Sequence, residues 1–264
     1  MKKYFLLFIA ALLLTEAGLF ASPQGNVASK PTLIMKESKI QVINQGARLL
    51  ASGKSLEAEG ILSDAVIANP DSPEAFYNYG LALSFNGKMA DAIHAYLKAI
   101  ELKFAFPEAH LAIGDVYLGM GEPGEALKAF DTVLAIASDQ VELSQSALHN
   151  KGVALVKLGR NDEAKMCFIH LLALNPDDSA AAFHLGKLLF KAGRFSEALS
   201  PLAMARSEFP IEAGFFLAKT WKALNEKEKA DNLFLQLEKD IQSAELASET
   251  RQDLLEEIKK ERYH

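Results

Sequence analysis

A chain of 264 residues, half of them hydrophobic and 23% charged, can bury a sizeable core, which excludes bulk disorder. Its one cysteine, Cys167, rules out an intramolecular disulfide and a four-cysteine zinc or iron–sulfur cluster. A formal charge of -6 argues against a nucleic-acid binder working through bulk positive charge, because phosphate neutralisation needs clustered Lys and Arg.

The chain opens with Met1-Lys2-Lys3 and then Tyr4 to Leu14, a run without a charged residue made mostly of Phe, Leu, Ile and Ala. A basic start followed by an apolar run is the pattern of an export signal. Glu16 interrupts it, and Ala21 offers a small residue before a cut, so residues 1–21 are expected to be a cleaved signal peptide. The alternative is an uncleaved membrane anchor, for which 18 residues broken by Glu16 is the lower limit of length. No cysteine follows closely to accept a lipid. Removing Lys2, Lys3 and Glu16 leaves 26 basic and 33 acidic residues, a charge of -7. Residues 22–38 (SPQGNVASKPTLIMKES) carry breakers and predict a flexible linker.

From residue 39 the sequence repeats. Gly46, Gly80 and Gly114 are 34 apart, Gly152 follows after 38 and Gly186 after 34. Seven residues beyond each stand Gly53, Gly87, Gly121, Gly159 and Gly193. Twelve beyond the first set stand Ala58, Ala92, Ala126, Ala164 and Ala198, and four later a large apolar residue: Leu62, Tyr96, Phe130, Phe168 and Leu202. A period of this length means stacked helix pairs that cannot cover their apolar faces singly. The first glycine and the alanine are expected to let the paired helices approach. The second glycine ends the first helix in a left-handed conformation. Pro70, Pro176 and Pro210 are read as closing the second helix of their units.

Tyr77-Asn78-Tyr79-Gly80 with Gly87, Ala92, Tyr96 and Ala99 carries a resemblance to the tetratricopeptide repeat family, and the units from Leu148 and from Leu185 match comparably. The resemblance implies an all-α fold, a right-handed superhelical solenoid of about six helix–turn–helix repeats with a C-terminal capping helix. The units fall near 39–72, 73–106, 107–144, 145–178, 179–210 and 211–244, with a charged cap over 245–264. The sixth unit has Ala218 and Asn225 in place of its two glycines. Ile241, Leu246, Leu254, Leu255 and Ile258, set among thirteen charged residues between Glu238 and Arg262, predict the cap. Four extra residues near 138–143 are expected to lengthen a connection, and Pro201 should remove one hydrogen bond within a helix.

Motifs for chemistry are decoys. Gly119-Met120-Gly121-Glu122-Pro123-Gly124 matches G-x-G-x-x-G, but helical patterns flank it where a dinucleotide site needs a strand. His94, His110, His149, His170, His184 and His264 lack metal-ligand spacing, and Cys167 reads as a buried thiol. No nucleophile elbow or Walker loop occurs, so no enzyme, cofactor or metal is expected.

What remains is the surface that the resemblance makes concave. Carried onto this chain, its positions are Tyr77, Asn78, Leu81 and Phe85 in the second unit, and His149, Asn150, Val153 and Lys157 in the fourth. The fifth gives Phe183, His184, Lys187, Phe190 and Lys191, and the sixth Phe215, Phe216, Lys219 and Lys222. Asn78 and Asn150 stand where related repeats hold peptide main chain. Lysines alternating with aromatics suit a protein or peptide segment that is acidic or presents a C-terminal carboxylate, with no nucleic acid. The expected function is an exported periplasmic or secreted scaffold for envelope-complex assembly. The alternatives are an accessory protein of pilus assembly or secretion, and a regulatory subunit of an envelope enzyme. Membrane contact would come only through an uncleaved N-terminal segment.

Overall fold

The computed structural model describes residues 30–243 and 248–263, and side chains over 40–243 and 250–263. The expected signal segment lies outside the described residues. Thirteen helices and no strand occur among those described. In order they are α1 (Lys30–Ala51), α2 (Ser55–Ala68), α3 (Pro73–Phe85), α4 (Met89–Leu102), α5 (Pro107–Met120), α6 (Pro123–Ile136) and α7 (Val141–Lys157). There follow α8 (Asn161–Leu174), α9 (Ser179–Lys191), α10 (Phe195–Ala205), α11 (Pro210–Ala223), α12 (Lys227–Ser243) and α13 (Ser248–Tyr263).

The chain divides into two compact units, residues 1–143 and 144–264. In the first, each helix from α1 to α6 packs on its successor, and α1 also touches α3, as α3 touches α5. In the second, the same succession runs from α8 to α13, and α9 touches α11. Within the first unit α1, α3 and α5 therefore form one layer and the helices between them the other, and within the second α9 and α11 do the same, as an all-α helix-pair solenoid requires.

Local signals set the helix ends. The Ser72 hydroxyl accepts from the Ala75 N–H at 3.2 Å, and the Asp178 carboxylate from the Ala181 N–H at 2.8 Å, satisfying donors that the first turn leaves open. Gly121 ends α5 at φ 80, and in the sixth unit Asn225 takes the same left-handed place at φ 65. Basic residues before three second helices meet a glutamate in the first turn, as Lys54–Glu57, Arg160–Glu163 and Arg194–Glu197. These pairs are exposed and screened by water, so they mark the helix starts more than they stabilise them.

The core lies between the helices of each pair. Leu62, Tyr96, Phe130, Phe168, Leu202 and Phe234 are at most 1% exposed. In the first five units the glycine sixteen residues earlier makes room for that side chain, and in the sixth Ala218 takes its place. A Cβ at Gly80 would come within 2.6 Å of the Tyr96 ring, and one at Gly114 within 2.4 Å of Phe130. Lacking a Cβ, the glycine lets the large side chain of the partner helix lie against its backbone, as close approach of the pair requires, and the alanines Ala58, Ala92, Ala126, Ala164 and Ala198 are fully buried.

Three expectations change. Residues 30–38, read as linker, belong to α1, because Pro31 stands in the first turn where its missing N–H costs nothing. Pro210 does not close a unit; it opens α11, where its fixed φ suits the first helical position. The extra residues near 138–143 do not lengthen the connection. Ile136 and Val141 are joined by four residues, as are α2 and α3, and the insertion is absorbed as added helix in the 17-residue α7. Pro201 sits inside an unbroken but short α10 of 11 residues. Gly121 and Pro123 place the G-x-G-x-x-G match in the turn between α5 and α6, with a helix on each side.

Candidate partner-binding strip

In the second unit, α7, α9 and α11 contribute a run of side chains in mutual contact. The His184 ring stacks on Phe168 at 5.0 Å with an interplanar angle of 8°, and His149 meets His184 edge-on at 5.4 Å. Phe183 stacks on Phe209 at 5.4 Å and meets Phe216 edge-on at 6.1 Å. The Lys187 ammonium lies over both Phe183 and Phe216, at 5.1 and 5.2 Å. Phe216 continues to Phe190 at 5.7 Å, and the Lys219 ammonium lies over Phe190 and Phe215. Ring faces carry negative charge density, so they hold these cations against the strip at about 0.5–2 kcal/mol each.

Burial tunes the titratable groups. It pushes the His184 imidazole down to about 4, helped by the nearby His149 and Lys187, and it lowers His149 too. The Lys187 ammonium is lowered, first by burial and then by Lys191. The strip is thus aromatic, half-buried and neutral at its histidine end, and cationic toward α11.

At the α11 end the lysines are already engaged. Lys219 Nζ donates to Glu261 Oε1 of α13 at 2.7 Å, and Lys222 Nζ donates to the Glu261 main-chain carbonyl. Arg262 of the same turn pairs with Glu238 at 3.5 Å and Asp231 at 3.9 Å on α12, and Ile258 is 2% exposed. The C-terminal helix therefore covers α12 with its body and reaches the strip with its last turn.

The sequence-derived site residues divide accordingly. His149, His184, Lys187, Lys219 and Lys222 are brought together or linked through rings. Lys191 ends α9 and Lys157 ends α7, both exposed, and Asn150 is half-buried on α7. Tyr77, Asn78 and Phe85 belong to the first unit. Tyr77 is corrected outright: it is 6% exposed, packs between Tyr96 and Phe106, and has its hydroxyl pushed well above the usual phenol range by burial. Asn78 is half-buried, and Phe85 is exposed at the end of α3. Phe168, Phe209 and Glu261 were not among the expected site residues. The first is a fully buried core position whose ring lies against Gly152 and is covered by His184, the second precedes the proline of α11, and no periodic signal marks the third.

Among the described residues, no group of three or more His, Cys, Asp or Glu is placed to hold a metal ion. Cys167 is buried. No described helix is long and apolar enough to cross a membrane.

Comparison with known proteins decides the family. Tetratricopeptide repeat models match residues 149–210, 85–121 and 107–140. Residues 85–140 and 149–210 are tetratricopeptide repeats. Among solved structures it resembles PilF of Pseudomonas aeruginosa, with a TM-score of 0.73 and 17% identity over 86% of this chain and 99% of that one. PilW, described as a type IV pilus biogenesis factor, superposes with a TM-score of 0.65 and 19% identity over 88% and 99%. YrrB, a tetratricopeptide-repeat protein described as having an unusual peptide-binding site, gives 0.59 and 25% identity over 75% and 97%. A curated relative, the Hsp70-Hsp90 organizing protein of Triticum aestivum, is 28% identical over 35% of this chain, and the chain covers 16% of its length. Tetratricopeptide-repeat proteins bind protein or peptide partners, and YrrB is described as having a peptide-binding site.

Proposed function

We propose that the protein is a non-catalytic, exported interaction scaffold that takes a partner segment along α9 and α11. The observation that supports this is Lys187 held between Phe183 and Phe216 at 5.1 and 5.2 Å, on a strip the helix pairs leave uncovered. An apolar platform studded with fixed cations suits an extended or helical segment bearing carboxylates. Capture by immobilised full-length protein from its host envelope, repeated with Lys187→Glu/Lys191→Glu, tests it. The variant is expected to lose the partner; unchanged capture overturns the strip as the binding surface.

Export rests on the basic and apolar order of residues 1–14 and the small Ala21. N-terminal sequencing of the protein from its host is expected to begin at Ser22, and an intact Met1 overturns cleavage. A role in envelope assembly follows from export joined to a repeat scaffold. Its pilus-assembly version draws on the fold shared with PilF and PilW, and capture of pilus components by the immobilised protein is the result that would single it out.

A further inference from the structure

The contacts between α11 and α13 have more chemistry than a cap needs. A capping helix must cover the apolar side of α12, and Ile258 and Arg262 accomplish that. Two lysines of α11 converge on one residue of α13, Glu261, through different groups, and Lys219 also lies over Phe190 and Phe215 of the strip. Lys219 takes the side-chain carboxylate. Lys222 takes the backbone carbonyl, one of the last four carbonyls of α13, which no intrahelical N–H can reach. A helix C-terminus carries partial negative charge, so a cation placed there is attracted by the helix as well as by the side chain.

We infer that Lys219 and Lys222 form a receptor for the C-terminal turn of a carboxylate-bearing helix, filled in cis by the protein's own α13, which a partner helix must displace. The inference rests on the strip being the partner surface and specifies its cationic end. The occupant is set by the contacts: one carboxylate over Lys219, one helix-terminal carbonyl at Lys222, and an apolar residue three positions earlier, where Ile258 is buried. Overall helix charge matters little, since α13 itself mixes Glu256, Glu257 and Glu261 with Lys259, Lys260 and Arg262. Being tethered, α13 competes at an effective concentration on the order of millimolar, so a free helix meets the closed state first.

The test uses a fluorescent peptide of residues 248–264 and the full-length protein, read by anisotropy. Two separate variants release α13 without touching the lysines: Ile258→Asp removes its buried contact, and Arg262→Asp breaks its ion pairs to α12. The peptide is expected to bind either release variant at least tenfold tighter than the wild type. Adding Lys219→Glu/Lys222→Glu to the release background, or Glu261→Lys to the peptide, is expected to weaken binding at least tenfold. Equal binding to wild type and release variants, binding indifferent to the lysines, or no binding to any variant overturns the inference. The capture experiment with Lys187→Glu/Lys191→Glu is read independently. Loss of capture there with no peptide binding here leaves the strip standing without the receptor, and the reverse pattern removes the strip.

Discussion

At Gly80 an added methyl group would land 2.6 Å from the Tyr96 ring, inside any tolerable carbon contact. Gly80→Ala is therefore expected to cost about 1–3 kcal/mol through forced repacking, measured by urea denaturation. Gly87 presents the opposite case, with nothing near its missing Cβ but a φ of +79. Gly87→Ala is expected to cost about 1 kcal/mol through backbone strain alone. Asn225 holds the equivalent turn at φ 65, so Asn225→Gly should change stability by under about 0.5 kcal/mol, the relief offset by a freer unfolded chain. The histidines give the pH dependence. His184 is depressed to about 4, chiefly by burial, while its unfolded value is about 6.5. Above pH 6.5 both states hold it neutral and nothing is lost. As pH falls from 6.5 toward 4 the unfolded chain binds the proton first, so stability declines across that window and levels off below it, by roughly 2–3 kcal/mol. Melting temperature followed from pH 7 to pH 4 checks this, and His184→Phe is expected to flatten the slope; an equal slope in the variant would assign it elsewhere.

Helix ends and helix lengths follow different rules, and the element scale shows where each could be read. Stops at Gly121 and its equivalents were legible because a glycine in a left-handed turn acts only on the residues beside it. Pro31 and Pro210 were misread because proline ends a helix and also begins one, and the sequence near it does not say which. The insertion before α7 was misread for a related reason. Four residues can lengthen a loop or add a helical turn, and the turn satisfies backbone groups that a loop would leave to water. Pro201 leaves such a group in α10, since it offers no N–H to the carbonyl four residues back, at Glu197. Pro201→Ala is expected to stabilise α10 by about 1–2 kcal/mol, less than the full helix penalty of proline because the substitution also frees the unfolded chain. Slower amide exchange over residues 195–209 is the measurement; faster exchange would mean that the ring packs better than the lost bond.

Across the whole molecule, a 34-residue period says which residues build the fold, because every unit repeats the same local constraint. It says less about the surface, because residues between the conserved-spacing positions differ from unit to unit and only their neighbours in space decide their role. Tyr77 and His149 hold the same register, three residues before Gly80 and Gly152, yet one is core and the other half-buried in the strip, because Phe106 closes over Tyr77. Glu261 lies 42 residues from Lys219, beyond any periodic signal, so the occupied end of the strip was not legible at all. The same nearest-neighbour architecture makes a prediction about stability. Within each compact unit the helices from α1 to α6 and from α8 to α13 pack in succession, and α1–α3, α3–α5 and α9–α11 reach the next but one, so energetic coupling should fade along the chain. Phe234 is fully buried on α12 and meets Phe215 of α11 at 6.3 Å. Phe234→Ala should cost about 3–5 kcal/mol where it is felt, from lost burial and the cavity left behind. That loss is expected to lower amide protection over α11, α12 and α13 while α3 and α4 keep theirs, since local opening free energies in a linear array are set by adjacent elements. Hydrogen exchange resolved by segment distinguishes the cases: a uniform fall that includes residues 73–102 would show one cooperative block, and the stack would then owe its stability to longer-range coupling than neighbouring helices provide.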